Sequence, residues 1–238
     1  MSLYIEFTWI HFCIAFGVML FFYLIMSFQS NNFFTKHMVV RKFSILDLEF
    51  PPSATEMINF IKDIFSLPPA QAKRTLNALR NQLLLDFLFM PAFYGSIFIL
   101  SMKVSMKMVY FGHKFFAILA WIQLIAWLCD IIENIYLLNK IHPDPTASTG
   151  VAFKSYEALE AIKWGIPLLT CVCSVAAICY FWLVGLYDYG SLVYLIIVAI
   201  EIIIYFAVKK STAKSEDKLL QKFLQTGVEN NPQPGTSN

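Results

Sequence analysis

The chain has 238 residues, of which 58% are hydrophobic and 14% charged, with a formal net charge of +2 and a mean hydropathy of +0.61. Soluble chains are about half apolar and about one-quarter charged, so this composition calls for an integral, multi-pass membrane protein whose first partner is the lipid bilayer. The small net charge, with no basic run interleaved with aromatic residues, excludes a nucleic-acid partner.

A helix needs about 20 residues to cross a hydrocarbon core, and five apolar stretches are long enough: Thr8 to Phe28, Leu83 to Met102, Phe115 to Leu138, Trp164 to Val184 and Tyr189 to Val208. The expected fold is all-α, a polytopic transmembrane helix bundle of about five spans, a four-span core plus a C-terminal span. The opening MSLYIEF carries Glu6 and no basic residue, unlike a cleavable signal, so the first helix is expected to be retained. Residues 29–82 form a loop containing an amphipathic helix. Ser53 is its N-cap and Glu56 completes a capping box, while Met57, Ile58, Ile61, Ile64 and Phe65 share one apolar face. Pro68 and Pro69 then start the helix that runs into the second span. The last two spans are separated by Gly185 to Tyr189 alone, a tight turn, and a single re-entrant hairpin is the alternative reading. Residues 1–210 therefore make one transmembrane helical domain. Residues 211–238, ending in ENNPQPGTSN, read as a disordered polar tail.

Lys and Arg collect on the cytoplasmic loops of membrane proteins. Five spans put fifteen of the eighteen basic residues on one side: seven in the first loop, Lys140, Lys154 and Lys163 in the third, and five from Lys209 onward. Only Lys103, Lys107 and Lys114 fall opposite. The N-terminus is accordingly placed outside and the C-terminal tail in the cytoplasm.

Acidic residues interrupt this apolar pattern. At about 1.5 Å per residue, Asp86, Asp130, Glu133 and Glu201 all lie about 9–15 Å inside the nearest basic flank, in the cytoplasmic half of their spans. Gln123, Trp127, Asp130, Asn134 and Leu137 recur at steps of four and three, a seam that faces a neighbouring helix. Lys163, Pro167, Thr170, Ser174 and Ala177 repeat the pattern with the small or polar residues that membrane helix contacts favour. Tyr194, Val198, Glu201 and Tyr205 do so in the last span. Lys163, at the head of the fourth span, is the expected counter-ion. Each mid-bilayer charge costs about 2.5–3.5 kcal/mol to insert, and one lysine does not neutralise three carboxylates. Protons, a small cation or a cationic headgroup must complete the site. Glu201 and His11 read instead as lone polar residues on packed seams.

In order along the chain stand ILDLEFPPSATEMINFI, LLLDFLFMPAFYG, DIIENIYLL and AIKW. This ordered set resembles a family of small polytopic membrane proteins that is widespread in bacteria and uncharacterised. Their pattern is Asp-Phe-x-Phe-x-Pro-x-x-Tyr, then Asp-x-x-Glu-Asn, then Lys-Trp. Here it falls on Asp86, Phe89, Met90, Pro91 and Tyr94, on Asp130, Glu133 and Asn134, and on Lys163 and Trp164. The resemblance covers roughly Ile45 to Leu169 and implies that those polar positions belong together; the fifth span and Lys-rich tail depart from the family's four-span form.

The binding residues expected are thus Asp86, Tyr94, Asp130, Glu133, Asn134 and Lys163. The five cysteines lie in apolar stretches in an odd number, and the four histidines have no zinc-ligand spacing, so neither a metal nor another cofactor is expected. Three functions fit. The first is binding or transport of a proton, a cation or a cationic amphiphile. The second is an intramembrane lipid-modifying enzyme using carboxylate acid/base chemistry, although no Asp-Gly metal motif, His-box or phosphate loop is present. The third is a structural or assembly subunit, in a homo-oligomer or a larger complex.

Overall fold

A computed structural model describes residues 7–36, 38, 40–143, 145 and 150–229, with side chains to residue 212. The elements in chain order are α1 Trp9–Ser30, β1 Phe34–Lys36, β2 Val40–Lys42, α2 Leu46–Glu49, α3 Ala54–Phe65, α4 Pro69–Ser105, α5 Tyr110–Trp121, α6 Gln123–Lys140, α7 Gly150–Leu183, a single 3-10 turn at Tyr189–Ser191, and α8 Leu192–Glu229. Five helical stretches are long and apolar enough to cross a membrane: Trp9–Ser30, Pro69–Ser105, Tyr110–Lys140, Gly150–Leu183 and Tyr189–Thr212. The third is α5 followed directly by α6, with Ile122 between them. To the helices the structure adds a short antiparallel hairpin, in which Phe34 pairs with Lys42 and Lys36 with Val40.

The central element is α4, packed against α1, α5, α6 and α7. Three apolar clusters follow one another along it. At the α3 end, Leu79 and Leu83 meet Phe33, Leu48, Ile61, Ile64, Leu137 and Tyr156. Next come Met90 and Tyr94 with Ala126. At the far end Leu100 and Val104 meet Phe116, Ile178 and Phe181. There α7 stops at Gly185, whose φ of 72° is open to glycine without steric cost, and the Tyr187 hydroxyl pins the turn to the Lys103 carbonyl at 2.9 Å. The helices on either side of this turn, α7 and α8, are each long enough to cross a membrane alone.

Two expectations from sequence are corrected. Lys163 does not head its helix, because α7 begins at Gly150. No Gly or Pro lies between Val151 and Trp164 to stop a helix, and the buried positions Phe153, Tyr156, Glu160 and Lys163 extend the inward seam by three turns. Nor does irregular structure begin at residue 211: α8 continues to Glu229, through a stretch of Lys, Glu, Ala, Leu and Gln that favours helix and has no Gly before Gly227. Residues 230–238 of the expected tail lie outside the described residues.

The loop helix α3 is set by its cap and its apolar face. The Ser53 hydroxyl accepts the Glu56 backbone N–H at 3.1 Å, and Met57, Ile58, Ile61 and Ile64 are all buried, against β1 and α4. At the N-terminal end of α1, His11 is a local cap, its Nδ1 accepting the Thr8 backbone N–H at 3.0 Å.

Because α3 is held by burial, Ile64→Ala is expected to cost about 2–5 kcal/mol and Ser53→Ala about 1 kcal/mol. Denaturant unfolding of the purified protein measures both, and equal costs would contradict this ranking.

Candidate functional site

Where α4, α6 and α7 meet α2, a network of polar side chains ties the bundle together. From α4, Asp86 Oδ2 accepts the Asn134 Nδ2 of α6 at 2.6 Å. Two turns further on, the Tyr94 hydroxyl donates to Asp130 Oδ2, also of α6, at 2.9 Å. The ammonium of Lys163 on α7 then reaches Glu133 Oε2 at 2.5 Å, Asp130 Oδ1 at 3.2 Å and Glu49 Oε1 at 3.6 Å. Of the six residues expected from sequence, Asp86 and Asn134 therefore form one pair, and Tyr94, Asp130, Glu133 and Lys163 a second connected set. A second tie sits deeper, where Gln123 Nε2 of α6 donates to Thr170 Oγ1 of α7 at 2.7 Å.

Two members were missed in the sequence, Glu49 and Glu160. Glu160 lies three residues before Lys163 on the same seam and is 2% exposed; its signal was the three-four spacing continued backward from Lys163. Glu49 lacks such a signal, because α2 is one turn long and its place is set by tertiary contacts. The Ser44 hydroxyl accepts the Leu46 N–H while Asp47 Oδ2 accepts the Ser44 N–H. Leu48 is buried in the core and its carbonyl accepts the Tyr156 hydroxyl at 3.2 Å. With Leu48 fixed, the next side chain falls on Lys163. Burial holds the Glu49 carboxyl above its ordinary range, against the pull of the Lys163 ammonium.

Glu49, Glu133 and Glu160 converge, each with an oxygen within 4.8 Å of the others. Glu49 Oε2, Glu133 Oε1 and both oxygens of Glu160 have no hydrogen-bond donor among the described residues. An all-oxygen set of this kind suits a hard cation and not zinc, and the Lys163 ammonium already supplies positive charge beside it. Glu201 stands apart on α8. Its carboxylate lies against Gly17 of α1, where an added Cβ would stand 2.9 Å from Oε1.

Beside the network opens a cavity of about 550 Å³. Its apolar wall includes Met19, Leu20 and Tyr23 of α1 with Phe89 and Phe93 of α4, and its polar lining includes Glu49, Gln82, Asp86, Asp130, Asn134 and Lys163. Asp86 differs from Glu49, Asp130 and Glu133: among the described residues it forms no ion pair, and its hydrogen-bond partner is the neutral Asn134 amide. No protein-family model, curated protein or solved structure matches the chain. The site is therefore read from its own chemistry.

Two outcomes follow. Lys163→Met leaves Glu133 and Asp130 without their cation and is expected to destabilise the protein by about 3–5 kcal/mol, with part recovered on adding Glu133→Gln; thermal unfolding in detergent gives the coupling. For Glu49, folding favours the neutral carboxyl, so its contribution is present at acid pH and is lost as the pH rises above the ordinary value of 4.5 and through the raised one. Glu49→Gln should accordingly gain stability relative to wild type as the pH rises from acid to neutral, and a pH-independent difference would contradict the assignment.

Proposed function

We infer that this multi-pass membrane protein binds a cation, most favourably the cationic head of an amphiphile, in the cavity beside its acidic network. The observation that supports this best is Asp86. It is a half-buried carboxylate in a helix long enough to span the membrane, it lines a cavity with apolar walls, and it has only a neutral amide as partner. An intramembrane carboxylate without a counter-ion is costly and usually marks a ligand or ion path. The other acids are served differently. Asp130, Glu133 and Glu49 share Lys163, so the inner part of the network acts as a clasp between helices while Asp86 meets the ligand.

The loop charges support a reading with the α3 end in the cytoplasm and the N-terminus outside, in which the cavity receives its ligand at the cytoplasmic leaflet. The resemblance to the bacterial polytopic family belongs to the same proposal, since the positions shared with it are those that meet here. A proton is the second cargo that a specific observation favours. Glu133 and Glu160 approach each other with no donor between them, an arrangement that a shared proton would hold together.

The test is binding of dodecylammonium and dodecyl sulfate to the purified protein, read by thermal shift and calorimetry. The wild type should prefer the cation. Asp86→Asn should weaken cation binding by about tenfold, the worth of one charge-assisted hydrogen bond, and unchanged affinity in that variant would overturn the reading.

A further inference from the structure

We propose that the ligand of this cavity is a zwitterion, a primary ammonium carried a few bonds from a phosphate, as in an aminoethyl phosphate headgroup; this rests on the cation-binding reading and goes further. Two opposite charges line one cavity without meeting each other or any other ion partner among the described residues. One is Asp86. The other is Lys209 of α8, which lines the same cavity and whose Nζ lies 3.4 Å from the Tyr205 hydroxyl, its one hydrogen-bond partner among the described residues. Tyr205 is itself buried and stacked on Tyr23 of α1 at 5.6 Å between ring centroids, so the base of Lys209 is held at the cavity wall. A simple cation would satisfy Asp86 and be repelled by Lys209. A zwitterion satisfies both.

The kind of ammonium follows from Gln82. It lies one helical turn before Asp86 on α4, lines the same cavity and is 5% exposed, yet its Oε1 has no hydrogen-bond partner among the described residues. A buried acceptor left unmade costs about 1–3 kcal/mol, and an N–H donor placed beside Asp86 would remove that cost. A primary ammonium carries three such donors. A trimethylammonium carries none and leaves Gln82 orphaned. On the anionic side, Ser27 and Ser44 line the cavity together with Lys209, adding hydroxyls of the kind that donate to phosphate oxygens. The volume of about 550 Å³ exceeds such a headgroup, and the Met19, Leu20, Phe89 and Phe93 surface takes the first part of an acyl chain.

The test uses the full-length protein in detergent with four probes: dioleoyl phosphatidylethanolamine, its phosphatidylcholine and phosphatidylglycerol counterparts, and dodecylammonium, with soluble phosphoethanolamine as competitor. Native mass spectrometry and thermal shift read the binding. The ethanolamine lipid is expected to bind at least tenfold more tightly than either counterpart. Asp86→Asn should weaken both the ethanolamine lipid and dodecylammonium, Lys209→Met should weaken the lipid and leave dodecylammonium unchanged or tighter, and Gln82→Leu should narrow the ethanolamine-over-choline preference. Competition by soluble phosphoethanolamine identifies the free headgroup as sufficient, and its failure beside tight lipid binding identifies a membrane lipid. Equal binding of the three lipids, or equal losses of lipid and dodecylammonium in Lys209→Met, overturns the zwitterion while Asp86-dependent dodecylammonium binding upholds the cation reading. If dodecylammonium binding ignores Asp86, the cation reading itself falls.

Discussion

The ammonium of Lys163 is the interaction on which the rest of the site depends. It lies within 4 Å of carboxylates from α6 and α2, so a single charge on α7 joins three elements, and the Tyr94 and Asn134 hydrogen bonds carry the connection to α4. Separately buried, each carboxylate would cost several kcal/mol. Gathered around one cation and two neutral donors, they share the compensation. The same gathering leaves a deficit, because one ammonium faces Asp130, Glu133 and Glu49 with Glu160 close behind. The oxygens without donors are concentrated on this inner side, at Glu49, Glu133 and Glu160.

This division explains how one cluster can be both a clasp and a binding surface. On the inner side, charges are paired across helices around Lys163, which is what fixing the bundle requires. At the edge, Asp86 and Gln82 stand one turn apart on α4, the first without an ion pair among the described residues and the second with an unsatisfied acceptor. Folding alone gains nothing from leaving them so. The asymmetry is carried by the helix with the most neighbours, so the polar wall of the cavity is also its most firmly held wall.

Much of this was legible in the chain because helical periodicity is local. Asp130 and Asn134 fall on one seam at a spacing of four, Lys163, Thr170 and Ser174 on another, and their meeting follows from the need of inward-facing polar groups to find one another. Glu160 obeyed the same spacing, but the assumption that the helix began at Trp164 hid it: a membrane span was read from hydropathy, whereas α7 starts 14 residues earlier in polar sequence. Hydropathy marks where a helix enters lipid, not where it begins. Glu49 was illegible for a different reason. A one-turn helix has no periodicity, and its position comes from Leu48 in the core and from Tyr156, more than a hundred residues away in sequence. The continuation of α8 to Glu229 was hidden by the polar, Pro/Gly-rich composition of the terminal stretch, although residues 211–226 before it have high helix propensity.

The opposite wall of the cavity is built on weaker terms. In both α1 and the last span only 6% of the most apolar stretch is buried, against 44% in α4, and among the described residues Cys13 alone is buried in α1. These two helices meet each other where Gly17 admits the Glu201 carboxylate and where Tyr23 stacks on Tyr205. Stability within a protein follows buried contact, and elements poor in it open at the lowest free energy. The cavity therefore has one wall fixed by ion pairs and a packed core, and one wall where α1, itself packed on α4, meets α8 through a small-residue contact and an aromatic stack. On the proposed reading, a ligand that reaches Asp86 from the bilayer passes the α1–α8 contact, so its binding strength would be set by the polar residues of α4 and its access by the packing of α1 against α8.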